Sequence, residues 1–183
     1  AMEQESDSYE DTLGTYLVKL SGKDLVAKKV KLLVSMAGAF PNGYEFNVYW
    51  DADAARTVAD EWPTPIIFSG WEIGSEIFTG NAVRDLPGDI SANPIKAAYT
   101  LALSEDDRPH GRESWDQTAA LVAIRGAAPW FTLRHGHMTV DGKGNNKWTD
   151  DPQGQHAYLV FAQPIKQVRD AIEALMTQMP RKR

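Results

Sequence analysis

The chain has 183 residues, of which 43% are hydrophobic and 24% are charged, which is the composition of one ordinary globular domain. Nineteen Lys and Arg against 25 Asp and Glu give a net charge of −6, the wrong sign for a protein that binds nucleic acid or anionic lipid. No run of roughly 18 apolar residues predicts a membrane span, and the absence of cysteine excludes disulfides and thiolate metal sites. We therefore expect a soluble protein, cytoplasmic or exported, whose partner is a small molecule or a protein.

The first third of the chain predicts a leader, a short helix and a buried strand. Residues 1–12 carry five acidic side chains and few apolar ones, which predicts a flexible leader. Apolar residues at helical spacing predict a short helix over 13–20. The apolar run from Lys29 to Met36 predicts a buried parallel strand, followed by a loop from Ala39 to Asn47. Open α/β sheets bind ligands at such a strand end.

A second helix–strand unit follows. Asp51 predicts the N-cap of a helix that Pro63 ends. The next strand is predicted from Pro65 to Ser69, with a loop over 70–74 at its carboxyl end. Asn93-Pro94 then supplies a cap and a first-turn proline for another amphipathic helix.

The last third predicts a buried helix and an antiparallel addition to the sheet. Residues 114–117 form a capping box, and the apolar run from Ala119 to Ile124 predicts the most buried helix of the chain. The remaining predicted elements are a hairpin from Trp130 to Val140 and Lys147 to Thr149, a strand from His156 to Ala162, and a helix that begins at Pro164.

Alternation of strands and helices predicts an α/β fold with three layers, a mostly parallel sheet and an added β-hairpin. Only about three core strands are visible, whereas a doubly wound sheet usually has about five or more. The chain therefore predicts part of a larger sheet.

Two groups of polar residues are candidates for a site. Glu45 and Asn47, two apart on an extended segment with Phe46 anchored in the core, could point the same way and bind sugar hydroxyls; the alternative is a surface Glu and a turn Asn. Asp116 could ligate a hard cation, although plain stabilisation of its helix N-terminus explains it equally.

Other candidates differ in promise. His135 and His137 could bind a metal from one strand, but no third ligand motif accompanies them and we interpret them as structural. Trp71 with Glu72, at a predicted strand end, is the better candidate for lining a site.

The stretch from Val30 to Ile124 resembles the C-terminal half of the inosine/uridine-preferring nucleoside hydrolase family. The resembling motifs are KLLVSMAG at 31–38, EFNVYWDADAA at 45–55, TPIIFSGWEI at 64–73 and SWDQTAALVAI at 114–124. In that family, a strand that ends in Met-Gly-Gly precedes Glu-Phe-Asn and then an Asp-capped helix, in the same order.

The resemblance implies cleavage of the N-glycosidic bond of a ribonucleoside, or a related N-riboside, by a water bound to Ca²⁺. Asp116 would be a carboxylate ligand of that ion and would also touch the ribose. Glu45 and Asn47 would hydrogen-bond the ribose hydroxyls. Met36 would line the sugar site, and Asn42 would supply a further amide.

The chain departs from the family in two places. The Asp-rich loop D-x-D-x-G-x-D-D, which supplies most calcium ligands and the general base, is absent, and one carboxylate alone does not hold Ca²⁺. We therefore expect residues 13–183 to be the C-terminal part of a nucleoside-hydrolase-like domain, completed by an N-terminal companion segment or chain and inactive alone. A homo-oligomer is also compatible with the sequence.

The second departure is Trp115, which stands where many members of the family carry a leaving-group histidine. Tryptophan does not donate that proton, but it could stack on a substrate base. The alternative function is therefore a catalytically silent module of the same fold that binds a sugar or nucleoside, or another protein.

Overall fold

The computed structural model describes residues 20–104 and 109–178. The predicted leader over 1–12 and all but the last residue of the helix predicted over 13–20 lie outside the described residues. Within the described ranges, no helix is long and apolar enough to cross a membrane.

Helices and strands alternate along most of the described chain. The first half contains α1 (Gly22–Lys29), β1 (Leu33–Met36), β2 (Asn42–Tyr44), α2 (Phe46–Trp50), α3 (Ala52–Glu61), β3 (Ile66–Ser69), α4 (Trp71–Gly74), β4 (Phe78–Thr79) and α5 (Asn81–Arg84). The second half contains α6 (Pro94–Ala102), β5 (Arg112–Glu113), α7 (Trp115–Arg125), β6 (Phe131–Val140), β7 (Asn145–Asp150), β8 (His156–Phe161) and α8 (Ile165–Met176).

Six strands form one mixed sheet in the order β1-β3-β8-β6-β7-β2. The β1-β3 and β3-β8 pairs are parallel, whereas β8-β6, β6-β7 and β7-β2 are antiparallel. The α/β class and the added hairpin are confirmed. The mostly parallel sheet is confirmed only for its first three strands, because the β6-β7 hairpin joins the same sheet and β2 extends it further.

Helices cover both faces of this sheet, which confirms the three layers. One face packs Ile66 and Phe68 of β3 against Val48 and Ala59 from α2 and α3. The other face packs a second core between the sheet and helices α4, α7 and α8; its members are Ile73, Ile77, Leu121, Val122, Phe131, Leu159, Val168 and Ile172. Alternation of side chains along each strand separates the two cores.

Strand β1 lies at an edge of the sheet, which corrects the prediction of a buried strand. All four of its residues are only partly buried, whereas β3 beside it is mostly buried. Leu32, just before β1, is 39% exposed. The sequence pattern of a strand that is apolar on both faces is typical of an interior parallel strand. In the described part of the chain, β1 has a neighbouring strand, β3, on one side only.

Two local predictions, for Phe46 and Ser114, are also corrected. Phe46 is 53% exposed because it begins α2 and points away from the core. The prediction for α7 is confirmed, because its four buried residues are the most of any described helix, although Ile124 near its end is 78% exposed. Ser114 makes no side-chain cap, and its hydroxyl instead bonds Thr79 at 2.7 Å. By contrast, Asp51 caps α3 through Ala54 N–H, as its sequence position predicts.

Candidate functional site

The carboxyl ends of β1 and β3 form the edge on which the candidate residues lie. Met36 pairs in register with Ser69, so both strands end at the same level. Beyond them, the backbone N–H of Trp71 donates to the carbonyl of Gly38 at 2.8 Å. This bond joins the loops that follow the two strands, at the place where α/β sheets bind ligands.

The loop over 38–40 is held by side chains from three separate elements. The N–H of Gly38 donates to Glu45 Oε2 at 3.0 Å, and the N–H of Phe40 donates to Glu72 Oε2 at 3.1 Å. Between them, the N–H of Ala39 donates to Asn146 Oδ1 at 2.9 Å, and the carbonyl of Ala39 accepts from Asn146 Nδ2 at 2.8 Å. Since each of three successive amides has its own partner, the loop is fixed in one conformation.

Glu45 is the most buried of the predicted site residues, with 4% of its surface exposed. Besides the loop amide, its carboxylate accepts from the N–H of Asn47 at 2.9 Å and of Val48 at 3.4 Å, which makes it the N-cap of α2. The carboxylate therefore joins the loop over 38–40 to the helix that carries Asn47. Whether it also contacts a ribose hydroxyl stays a prediction.

The structure brings Asn47 and Met36 together, whereas their contact with a sugar stays a prediction. Asn47 lies in the first turn of α2 rather than on an extended segment, and its Nδ2 is 3.1 Å from both the carbonyl oxygen and Sδ of Met36. Both residues line a cleft of about 220 Å³ that also contains Ser35, Asp51 and Phe68. The Asn47 side chain is exposed and accessible to a ligand.

The N-terminus of α7 approaches the same edge from the other face of the sheet. A 2.7 Å hydrogen bond between the hydroxyls of Ser69 and Thr118 fixes it there. The indole N–H of Trp115 donates to the carbonyl of Trp71 at 3.1 Å, which brings these two predicted binding residues together. Asp116 lies in the first turn of α7, and its side chain is exposed.

Asn42 is separated from the other predicted sugar-binding residues. It lies on β2, and its Oδ1 accepts from the N–H of Trp148 at 3.3 Å. It lines a different cavity, of about 560 Å³, beside the β6-β7 hairpin. The structure therefore does not place Asn42 in the cleft of Met36 and Asn47.

Glu72 has the most unusual environment of the acids near this edge. Its Oε2 holds the loop over 38–40, whereas its Oε1 is buried and has no hydrogen-bond partner. Burial of this carboxyl raises its pKa, and hydrogen bonds from its own backbone N–H and that of Phe40 oppose the shift. The sequence predicted Glu72 as a candidate site residue because it follows the end of a predicted strand, beside Trp71.

Asn146 is the residue that sequence reasoning missed. It is 2% exposed and lies 107 positions from the backbone that it holds. In the sequence, Asn145-Asn146 is typical of a hairpin turn, so nothing near it indicates a long-range role.

The described residues do not fit a calcium site by themselves. Among them, no group of three His, Asp or Glu side chains could hold a metal ion. Asp116 supplies one carboxylate at most, whereas Ca²⁺ takes about six to eight oxygen ligands. Ca²⁺ would need most of its ligands from outside the described chain.

A solved structure shares this fold. The chain matches the crystal structure of an inosine-uridine preferring nucleoside hydrolase from Bacillus anthracis with a TM-score of 0.55 and 14% sequence identity. The match covers 84% of this chain and 54% of the hydrolase, so the chain spans about half the length of that protein. No protein-family model matches the sequence, and no curated protein matches it. The chain thus has an α/β fold of the kind found in a nucleoside hydrolase.

Proposed function

We propose that this chain forms the sugar-binding half of a nucleoside-hydrolase-like site, whose substrate is a ribonucleoside or a related N-riboside. The observation that carries the proposal is the exposed amide of Asn47, held beside Met36 at the carboxyl edge of β1 by hydrogen bonds at 3.1 Å. An amide fixed in a cleft is suited to hydrogen-bonding the hydroxyls of a sugar. The fold shared with the Bacillus anthracis hydrolase supports the same assignment.

In this proposal, Glu45 is a positioning residue as well as a candidate sugar ligand. Its buried carboxylate joins the loop over 38–40 to the first turn of α2, so it fixes where the Asn47 amide points. Preorganised polar groups stabilise a developing charge at less cost than groups that must reorient. Trp71 and Trp115, which are joined by a hydrogen bond, are the side chains on which a flat leaving group could stack.

Hydrolysis would require a group of carboxylates that the residues described in the structure do not bring together. We propose that an N-terminal companion segment or chain brings the Asp-rich loop and pairs with the open edge of β1. The half-buried state of β1 supports this partner, because its sequence is typical of a strand with neighbours on both sides. Asp116, exposed at the same edge, is the carboxylate that this chain would add to a Ca²⁺ site shared with the companion.

The alternative is a module of the same fold that binds a sugar or nucleoside without cleaving it. One observation favours it: the two described acids nearest Asn47 already hold backbone amides, since both Glu45 oxygens accept backbone hydrogen bonds and Asp51, which lines the cleft, accepts from Ala54 N–H as the N-cap of α3.

An assay of base release from inosine and uridine tests the enzyme against this alternative. The 183-residue chain would be compared with the same chain supplied with a segment that contains D-x-D-x-G-x-D-D. We expect release only with that segment and with Ca²⁺ present, and a loss of about 10²-fold or more in Asp116→Ala. Gln153→Ala, an exposed amide at a distant turn, is the control. Binding without release in the supplemented sample would contradict hydrolysis and support the silent module.

A further inference from the structure

Four aromatic rings form a continuous row on β2 and α2, in the order Tyr44, Tyr49, Phe46 and Trp50. The Tyr44 and Tyr49 rings stack at 4.3 Å between centroids, Tyr49 contacts Phe46 edge-on at 5.5 Å, and Phe46 stacks on Trp50 at 5.1 Å. Three of these residues are more than half exposed: Tyr44 at 58%, Phe46 at 53% and Trp50 at 75%. A contiguous exposed row of large rings is typical of a binding surface.

The backbone under this aromatic row is fixed. Val48, between the rings in sequence, is 1% exposed in the core, and Glu45 caps the helix that carries three of the rings. The hairpin packs so closely on α2 that a Cβ on Gly144 would lie 2.4 Å from Cα of Tyr49. Because a rigid surface loses little entropy when a ligand binds, this arrangement is suited to recognition.

A cavity of about 560 Å³, lined mostly by residues with polar side chains, adjoins the row at Tyr44. Its polar lining consists of amides, a hydroxyl and one side chain of each charge: Asn42, Asn145, Asn146, Thr139, Asp141 and Lys147. Asn146 is buried and holds the backbone of Ala39, but the other members offer both donors and acceptors with no net charge. The lining therefore favours an uncharged ligand that carries many hydroxyl groups.

We propose that the aromatic row and this cavity together bind a neutral oligosaccharide. A pyranose ring has an apolar face of C–H groups that packs on an aromatic face, and hydroxyls at its rim that need polar partners. The indole of Trp50, at the end of the row, and the ring of Tyr44, beside the cavity, provide these two environments within one surface. This site is distinct from the cleft of Asn47, so it goes beyond the function proposed above.

The charge of the surface argues against single-stranded nucleic acid, which also stacks on aromatic rows. Nucleic-acid grooves are positively charged along the backbone. Here Lys147 is the one basic residue that lines the cavity, Asp141 offsets it, and the whole chain carries −6.

Titration with three neutral tetrasaccharides, cellotetraose, maltotetraose and chitotetraose, tests the proposal through backbone and indole N–H chemical shifts. We expect at least one to bind saturably below about 10 mM, the weak end of specific binding, with shifts centred on Tyr44 and Trp50. Trp50→Ala and Tyr44→Ala should each weaken binding about tenfold, the size of one lost ring contact.

Two control variants separate this site from the rest of the molecule. Phe78→Ala removes a ring that is 38% exposed but lies outside the row, and it should leave binding unchanged. Asn47→Ala should also leave it unchanged, which distinguishes this site from the proposed ribose cleft. Thermal unfolding of each variant verifies that it is folded.

Several results would overturn the proposal. These are no binding of any of the three tetrasaccharides, binding that survives both ring deletions, or binding lost equally in Phe78→Ala. Self-association that Trp50→Ala abolishes, measured by sedimentation, would show that the row is a protein interface instead.

Discussion

The two flanks of the candidate site are built in opposite ways. On the flank of β1 and α2, buried side chains satisfy the three successive amides of the loop over 38–40. On the flank of α7, Asp116 is exposed, and no described group of three acids or histidines could complete a metal site around it. The difference indicates that the described residues fix the loop over 38–40 but do not bring further carboxylates to Asp116.

The largest expected effect tests the first flank. Asn146→Ala removes both hydrogen bonds to the backbone of Ala39 and leaves a buried donor and acceptor without partners. We expect a loss of about 2–3 kcal/mol in the free energy of unfolding, measured by urea denaturation. Asn145→Ala on the same hairpin removes an exposed amide that bonds Asp141, and should cost under about 1 kcal/mol. Equal losses in the two variants would mean that the loop is not held as described.

A smaller effect is expected from Glu72, which holds the same loop and makes the stability of the protein depend on pH. The raised pKa of Glu72 means that the folded state keeps its proton to a higher pH than the unfolded state. Its contribution to stability is therefore fully present below its ordinary pKa and is lost as pH rises through the raised value.

Glu72→Gln removes the pH-dependent loss of stability, because glutamine does not titrate. It also keeps a side-chain oxygen that accepts from the N–H of Phe40. We expect the variant to gain stability relative to the natural chain as the pH rises from the ordinary pKa of a glutamic acid through the raised pKa of Glu72. The measurement is urea denaturation at a series of pH values from acidic to mildly alkaline, with Glu76→Gln on the exposed surface as the control for loss of one charge. A difference that stays flat with pH would contradict the assigned environment of Glu72.

The sequence predicts those parts of the fold that depend on local signals. Asp51 and Asn93-Pro94 predict helix starts because a cap acts on amides two or three residues away. Met36 and Asn47 were placed together through the family resemblance, and the structure brings them together.

Features that depend on distant contacts could not be predicted in the same way. The side chain of Asn146 hydrogen-bonds the backbone of Ala39, which is 107 residues away in the sequence. Strand β2 forms inside a predicted loop because it pairs with the distant strand β7. Phe46 was expected in the core, but the register of α2 turns it outward into the aromatic row. Burial of an aromatic residue is a property of the assembled surface, which a short window of sequence does not contain.

Titration of inosine into the chain alone, followed by backbone amide shifts, tests the central claim most directly. If this chain builds the sugar half of the site, inosine shifts the amides between Met36 and Asn47. Asn47→Ala should then weaken binding about tenfold, the effect of one lost hydrogen bond to a ligand, and Asp116→Asn less than about twofold. No binding, or binding lost in Asp116→Asn but kept in Asn47→Ala, would contradict the account.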